Sequence, residues 1–229
     1  MIDVYSLKPA DNICDQVLRE VIAIKDVNMA HVIMDSGNTS LLHQHKKFTE
    51  IYFILEGEGI LYYDDKALKV KEESFLLLPP KTPHKLENTG KSGLEHLVLS
   101  TPGFDPGDIE MVEDSSYKSL EEFKHNIQPK AASDGAIVYE LVSGTVGLAL
   151  GVLPKNRIAT SHYHKITEEI YYVISGKGKA KVGDKAYDVK KGSVVHLPTN
   201  TLHSLESEEE LKILCISSPS YTHSDFLTE

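Results

Sequence analysis

The apolar residues of this chain come in short runs, each closed within a few positions by turn residues. Ile51-Tyr52-Phe53-Ile54-Leu55 is closed by Glu56-Gly57-Glu58-Gly59, and Ile170-Tyr171-Tyr172-Val173-Ile174 by Ser175-Gly176-Lys177-Gly178. Asp64-Asp65 and Gly183-Asp184 sit between β-rich stretches, where hairpin turns belong. Pro79-Pro80 and Pro198 stop the runs before them, because proline cannot donate to a central ladder. Short strands with regular turn signals predict an all-β sandwich or barrel. The helical signal is a capping box, Ser119 with Glu122, followed by Pro129; it predicts one short helix over 119–127. The first 25 residues are expected to add a strand that crosses to, or covers, a barrel edge.

The pattern occurs twice. Residues 27–88 align with 146–207 at a constant offset of 119 without a gap, and 22 of the 62 positions are identical. Such repetition sets the architecture before any local reading. It divides the chain into an N-terminal barrel at 1–104, a polar linker with the short helix at 105–133, and a C-terminal barrel at 134–229. Barrels of this size can bury a core without disulfide or metal staples.

The residues that recur carry the chemistry. His43, His45, Glu50 and His84 return as His162, His164, Glu169 and His203. Packing explains a repeated apolar pattern, but not three histidines and a glutamate repeated at the same spacing. Residues i and i+2 of a strand share a face, so the two histidines of each H-x-H point the same way. The glutamate opens the next strand, and the third histidine follows a turn much later. These four groups can meet only if the strands curl around one interior. The resulting N3O set suits a divalent first-row transition metal, Fe, Mn, Ni, Zn or Cu, one in each barrel. An octahedral ion would keep two positions open for substrate, water or dioxygen. The alternative is a closed structural zinc site, which barrels of this size do not need.

The same residues carry a family resemblance. The motif G-x5-H-x-H-x(3,4)-E-x6-G matches Gly37, His43, His45, Glu50 and Gly57; in the second repeat Asn156 replaces the first glycine before His162, His164, Glu169 and Gly176. The motif G-x5-P-x-G-x2-H-x3-N reads Glu73, Pro79, Lys81, His84 and Asn88, then Gly192, Pro198, Asn200, His203 and Ser207. The departures fall at turn glycines and the final Asn. In this the chain resembles the cupin superfamily, specifically bicupins with two barrels in one polypeptide. The resemblance implies two double-stranded β-helix (jelly-roll) barrels and a metal-dependent protein acting on a small molecule. The superfamily holds dioxygenases, isomerases, decarboxylases, other lyases and non-catalytic binders. The leading reading is a dioxygenase-type enzyme. The alternatives are a metal-dependent sugar or sugar-phosphate isomerase or lyase, and a non-catalytic ligand-binding or sensor protein. The resemblance also favours a homodimer.

Composition narrows the partners. The formal charge is −10 with no basic block, so nucleic acid is not an expected partner. Cys14 and Cys215 are far apart and form no C-x-x-C pair, which fits a reducing compartment. Met1-Ile2-Asp3-Val4-Tyr5 is no signal peptide, and runs such as Phe75–Leu78 are too short to span a bilayer. A cytoplasmic protein without membrane partners is expected.

Tyr52 and Tyr171, two residues beyond each glutamate, and His196 are candidate catalytic residues, with core aromatics and an ordinary histidine as the plainer reading. His31, His96, His125 and His223 read as surface or structural. Thr160, Thr167 and His196 stand where the first repeat has Leu41, Phe48 and Leu77. If they line the cavity, the second pocket is the more polar and takes a ligand with hydroxyl or carboxylate groups. From the duplicated ligand set, native protein should carry close to two first-row divalent ions per chain by elemental analysis. His45→Ala and His164→Ala should each remove one ion and leave the other.

Overall fold

A computed structural model of the chain describes every residue except Ile13, Asp15, Asp114, Ser115 and Glu229. It divides into two compact units, Leu7–His125 and Met1–Ser6 with Asn126–Glu229.

In the first unit, a five-stranded sheet runs in the order Val17–Ile24, Val27–Met34, Leu94–Thr101, Thr49–Glu56, Phe75–Leu78. A six-stranded sheet has the order Ile109–Met111, His43–His45, His84–Asn88, Glu58–Tyr63, Lys66–Lys71, Ser119–Glu122. Between them lies an apolar core that includes Met34, Tyr52, Leu61, Leu78, Leu86 and Leu94. In the second unit, seven strands run in the order Ile2–Asp3, Ser193–Leu197, Glu168–Ser175, Leu211–Ser218, Gly147–Leu153, Ile137–Val142, Lys130–Ala131. A three-stranded sheet of Lys185–Lys190, Lys177–Val182 and His203–Ser207 packs with it around Leu153, Tyr171, Val195, Leu205 and Leu211. This is the all-β double jelly roll.

Local sequence explains the elements. Thr49–Glu56 and Glu168–Ser175 are buried along almost their whole length, as an unbroken apolar run in a central strand requires. His84–Asn88 and His203–Ser207 alternate buried and partly exposed residues, so each presents one face to the interior. The N-terminal strand Ile2–Asp3 pairs with Ser193–Val194 and covers that sheet edge. Among the described residues no helix is long and apolar enough to cross a membrane.

The expected helix over 119–127 does not form. Ser119–Glu122 is a strand, paired in parallel with Lys66–Lys69. Its Ser119 hydroxyl donates to Glu121 Oε1 instead of capping backbone amides. Lys69 Nζ lies 3.0 Å from Glu122 Oε1, and Phe123 packs edge-on against Phe75. A helix of two turns carries its full nucleation penalty in isolation, whereas a sheet edge supplies a ready hydrogen-bonding partner.

Where the turn glycines are replaced, the backbone keeps its conformation. Asn156 (φ 58°) stands in for Gly37 (φ 81°), and Glu73 (φ 65°) takes the left-handed place that Gly192 (φ 81°) fills in the second barrel. Lys81 and Asn200 are left-handed in both repeats, at 65° and 57°. Ser207 also does the work of Asn88. Asn88 Nδ2 donates to Met34 O, and Ser207 Oγ donates to Pro154 O, so each side chain ties down the same corner.

Gly176 is different, because it is both left-handed (φ 86°) and pressed against backbone: a Cβ there would land on the carbonyl of Glu210. Gly135 is equally left-handed (φ 92°) but faces open space. Gly135→Ala should therefore lower stability by about 1 kcal/mol, for the backbone alone. Gly176→Ala should cost about 3 kcal/mol, since the chain must also move. Equal losses in denaturant melts would contradict the close approach.

Candidate metal centres

The barrels bring each predicted ligand set together. His43, His45, Glu50 and His84 are all buried, with one ligand atom from each within 4.8 Å of every other; His162, His164, Glu169 and His203 do the same. His43 and His45 sit on one short strand, whose His43 is opposite His84. In the second barrel the corresponding contact is an isolated bridge between His162 and His203.

Five of the six imidazoles are aimed by their outer nitrogens; His45 Nδ1 is buried without a hydrogen-bond partner. Nδ1 of His43, His84, His162 and His203 each bonds the carbonyl two residues upstream, on Leu41, Thr82, Thr160 and Thr201, at 2.8–2.9 Å. His164 Nδ1 bonds the Asp225 carbonyl at 2.9 Å. A carbonyl only accepts, so Nδ1 carries the proton and Nε2 turns a lone pair inward, the orientation a metal-ligating histidine needs. His162 and His203 then oppose Nε2 to Nε2 at 3.1 Å. His45 Nε2, His164 Nε2 and Glu169 Oε2 are buried without a hydrogen-bond partner. Buried lone pairs that face one another without a donor are what a cation would satisfy. Both residue sets fit a divalent transition metal, and each barrel holds one such site.

Each glutamate has a tyrosine two residues on for a neighbour. The Tyr52 hydroxyl lies beside Glu50, and that of Tyr171 beside Glu169. Burial and the adjacent carboxylate raise both phenols well above their usual range, so they act as donors and not as bases. Cys215 Sγ lies 3.6 Å from Glu169 Oε1, and burial pushes this thiol well up. His196 is placed elsewhere. It lies opposite Ile170 on the neighbouring strand, half-buried, and pairs with Glu168 at 2.5 Å.

Several residues at the sites carry no motif. Asp108 is buried, and its Oδ2 accepts from the amides of Lys47 and Phe48. Asp225 accepts from the amides of Lys165, Ile166 and Thr167. Each aspartate fixes the loop between H-x-H and glutamate. Asp105-Pro106-Gly107-Asp108 is thus more than a turn: Asp105 caps it, but Asp108 serves the site. The signal was present. Residues 94–108 repeat at 211–225 with an offset of 117, matching Leu94, Leu97, Ser100, Pro102 and Asp108 to Leu211, Leu214, Ser217, Pro219 and Asp225. The two-residue change of register hides it. His31 and His96 are buried in the first barrel, His31 against Glu95 at 2.7 Å and His96 beside Tyr52. His223 bonds Ser133, and His125 lies beside Phe75 and Phe123.

The second barrel contains a cavity of about 240 Å3, bordered by His162, His164, Glu169, Tyr171, Cys215 and Phe226. Its room comes from Gly147, Ala149 and Gly151 on one strand. The first barrel has Asn28, Ala30 and Val32 at these positions. The expected polar replacements do not line this cavity. Leu41, Leu77 and Thr160 are exposed, His196 faces Glu168, and Thr167 is buried behind the ligands. The wall is mainly apolar, and the expectation of a more polar second pocket fails because those positions point away from it. Aromatic rings cover both sites from different sources. Phe48 stacks on His45 at 3.9 Å, whereas the second site has Thr167 at the aligned place and receives Phe226, stacked on His162 at 4.3 Å.

In the metal-free protein the sites should destabilise the fold as pH falls. Burial, then the neighbouring histidine (His84 or His162), pushes His43 and His203 from the usual 6.5 down to about 4. The unfolded chain therefore binds more protons in this window. The contribution of the neutral rings is complete above 6.5 and lost as pH falls toward 4. Burial raises Glu50 and Glu169, but the surrounding histidines outweigh it and hold both below 4.5, so their contribution is lost at still lower pH. His164 opposes the trend: burial lowers it, Glu169 outweighs burial, and its raised pKa favours the fold below 6.5. With His162 also lowered by burial, more histidines are depressed than raised. Melting temperature of chelator-treated protein should fall from pH 7 to 4.5, and less steeply in a His43→Gln, His203→Gln double variant. A flat profile for both would remove this account.

Comparison with known proteins agrees with this geometry. Residues 30–100 and 149–217 each match the family model described as "Cupin domain". An uncharacterised protein of Methanocaldococcus jannaschii is 41% identical over 86 residues, 38% of this chain and 69% of that protein. An oxalate-binding protein of Thermotoga maritima is 33% identical over 70 residues, 31% of this chain and 58% of that protein. Among solved structures, a mutant of Bacillus subtilis oxalate decarboxylase superposes with a TM-score of 0.74 at 17% identity, covering 96% of this chain and 78% of the other. The Lactobacillus farciminis oxalate decarboxylase in complex with formate gives 0.74 at 15% identity, covering 96% and 86%. Identities this low speak for the shared fold alone. With two matches that cover most of the chain and a buried metal-binding site in each, the chain belongs to the cupin family, as a bicupin.

Proposed function

We propose that this bicupin is a metal-dependent enzyme of the dioxygenase type, acting on a small molecule in its second barrel. The observation that carries the reading is the apolar-walled cavity that reaches His162, His164 and Glu169. A divalent ion held there by His162, His164, Glu169 and His203 would supply a Lewis acid able to polarise substrate oxygens or engage dioxygen.

The protein's own residues set the conditions. Tyr171 and Cys215 line the cavity beside Glu169 and keep their protons, and Cys215 Sγ lies 3.6 Å from Glu169 Oε1. Asp225 fixes the 165–167 loop and, through its carbonyl, the His164 ring. Phe226 covers His162 and keeps water from that side of the site. Gly147, Ala149 and Gly151 leave the room a substrate needs. The first site, with Phe48 over His45 and bulkier residues on the corresponding strand, has the character of a supporting site.

A second reading, a carbon–carbon lyase on a small dicarboxylate, is favoured by one observation: similar solved structures include oxalate decarboxylases, one studied for its Mn(II) centres, and a relative is an oxalate-binding protein. Oxygen uptake by iron-reconstituted protein across a substrate panel separates the two. Uptake should persist in His45→Ala and vanish in His164→Ala. Loss in the first-barrel variant alone would move the chemistry there, and anaerobic turnover with CO2 release would favour the lyase.

A further inference from the structure

We infer that the second-barrel cavity selects an uncharged chelator, a molecule with two adjacent oxygen donors on an apolar body, and rejects small dianions such as oxalate. This rests on the reading that the second barrel binds the substrate, and it names the class.

Charge comes first. Among the described residues lining the cavity, the carboxylates are Asp134, Glu140 and Glu169, and the one lysine is Lys130. Lys130 is already engaged, with Nζ 3.3 Å from Glu140 Oε2. The two arginines of the chain, Arg19 and Arg157, are not at the cavity. Asp134 is only half-buried, with Oδ1 accepting from the Ala136 amide, and among the described residues lining the cavity the one cation, Lys130, pairs with Glu140 instead. A divalent ion with Glu169 and Asp134 is neutral overall. An uncharged ligand keeps that balance, whereas a dianion leaves two uncompensated charges in an apolar-walled pocket.

Size and surface agree. The volume of about 240 Å3 equals the share of about eight water molecules, more than a compact dicarboxylate fills. The apolar lining includes Ala149, Gly151, Leu148, Ile213 and Phe226, which suits hydrocarbon or an aromatic ring. Apart from the charged residues already named, the polar lining includes hydroxyls: Ser133 bonds Tyr221 at 3.0 Å, and Ser220 accepts from the Gly144 amide. Hydroxyls serve a neutral polar group and offer no counter-charge.

Catechol and oxalate make a matched pair of probes. Both present two adjacent oxygens to one metal, but catechol enters uncharged on an aromatic ring and releases one proton to solvent as it chelates, adding a single charge, whereas oxalate brings two. The protein is full-length His45→Ala loaded with Co(II), so the visible cobalt bands report the second site alone. At neutral pH and fixed ionic strength, catechol should shift these bands at a Kd at least about tenfold below that of oxalate. Asp134→Asn should tighten oxalate by about tenfold and leave catechol within about twofold. Ala149→Leu should weaken catechol with the cobalt stoichiometry unchanged. Oxalate binding as tight as catechol, no response to either, or an oxalate affinity indifferent to Asp134→Asn would overturn the inference. The outcome is separable from the enzymatic reading. Catechol preference without oxygen uptake on any substrate sinks the dioxygenase reading and leaves this one standing. Oxygen uptake together with tight oxalate binding does the reverse.

Discussion

Much of this protein turns on one hydrogen bond, repeated: imidazole Nδ1–H to a backbone carbonyl. Four of the six site histidines make it to the residue two positions upstream, so the extended backbone itself sets the ring. The bond places the proton on the outer nitrogen and the lone pair on the inner one. Once that is done, four buried groups converge in each barrel, with His84 Nε2 at 2.9 Å from Glu50 Oε2 and His162 Nε2 at 3.1 Å from His203 Nε2, an arrangement a cation would satisfy. The barrel then serves to make this convergence rigid. Its core residues pack one layer away, and the tyrosines that follow each glutamate belong to that core and touch the carboxylate together.

The two barrels solve the same geometric problem with different parts. Asp108 and Asp225 hold equivalent loops through equivalent backbone amides, each from a short turn after the last long strand. The aromatic cover is not equivalent. Phe48 is local to its motif, while Phe226 comes from the end of the chain. Freed of a local phenylalanine and given glycines on the strand Gly147–Leu153, the second barrel keeps an open space beside its metal ligands. Glycine in a strand interior weakens it, so a pair of them beside a site points to space being retained for a ligand.

Charge decides what that space can hold more sharply than shape does. A metal site with one carboxylate keeps a positive excess, which would welcome an anion. Asp134 at the cavity wall removes that excess, and the charges of Lys130 and Glu140, 3.3 Å apart, cancel each other. A fold shared with oxalate decarboxylases therefore does not carry their named substrate with it.

The repeat, the strand-and-turn pattern and the eight metal ligands were legible in the sequence, because each depends on residue type at fixed spacing along one or two adjacent strands. His43, His45, Glu50 and His84 needed only parity and curvature to be grouped. Three things were not legible. The strand Ser119–Glu122 reads as a helix start, and only the neighbouring edge of Lys66–Lys71 makes it a strand. Asp225 and Phe226 lie some 60 residues from the ligands they support, so no local pattern marks them. Thr160, Thr167 and His196 differ from the first repeat in polarity yet face away from the cavity, while the glycines and alanine that create it look unremarkable as letters. Spacing along a strand fixes which side chains share a face. Which face looks into a cavity, and what closes it from afar, depends on long-range packing that exists only once the barrel has formed.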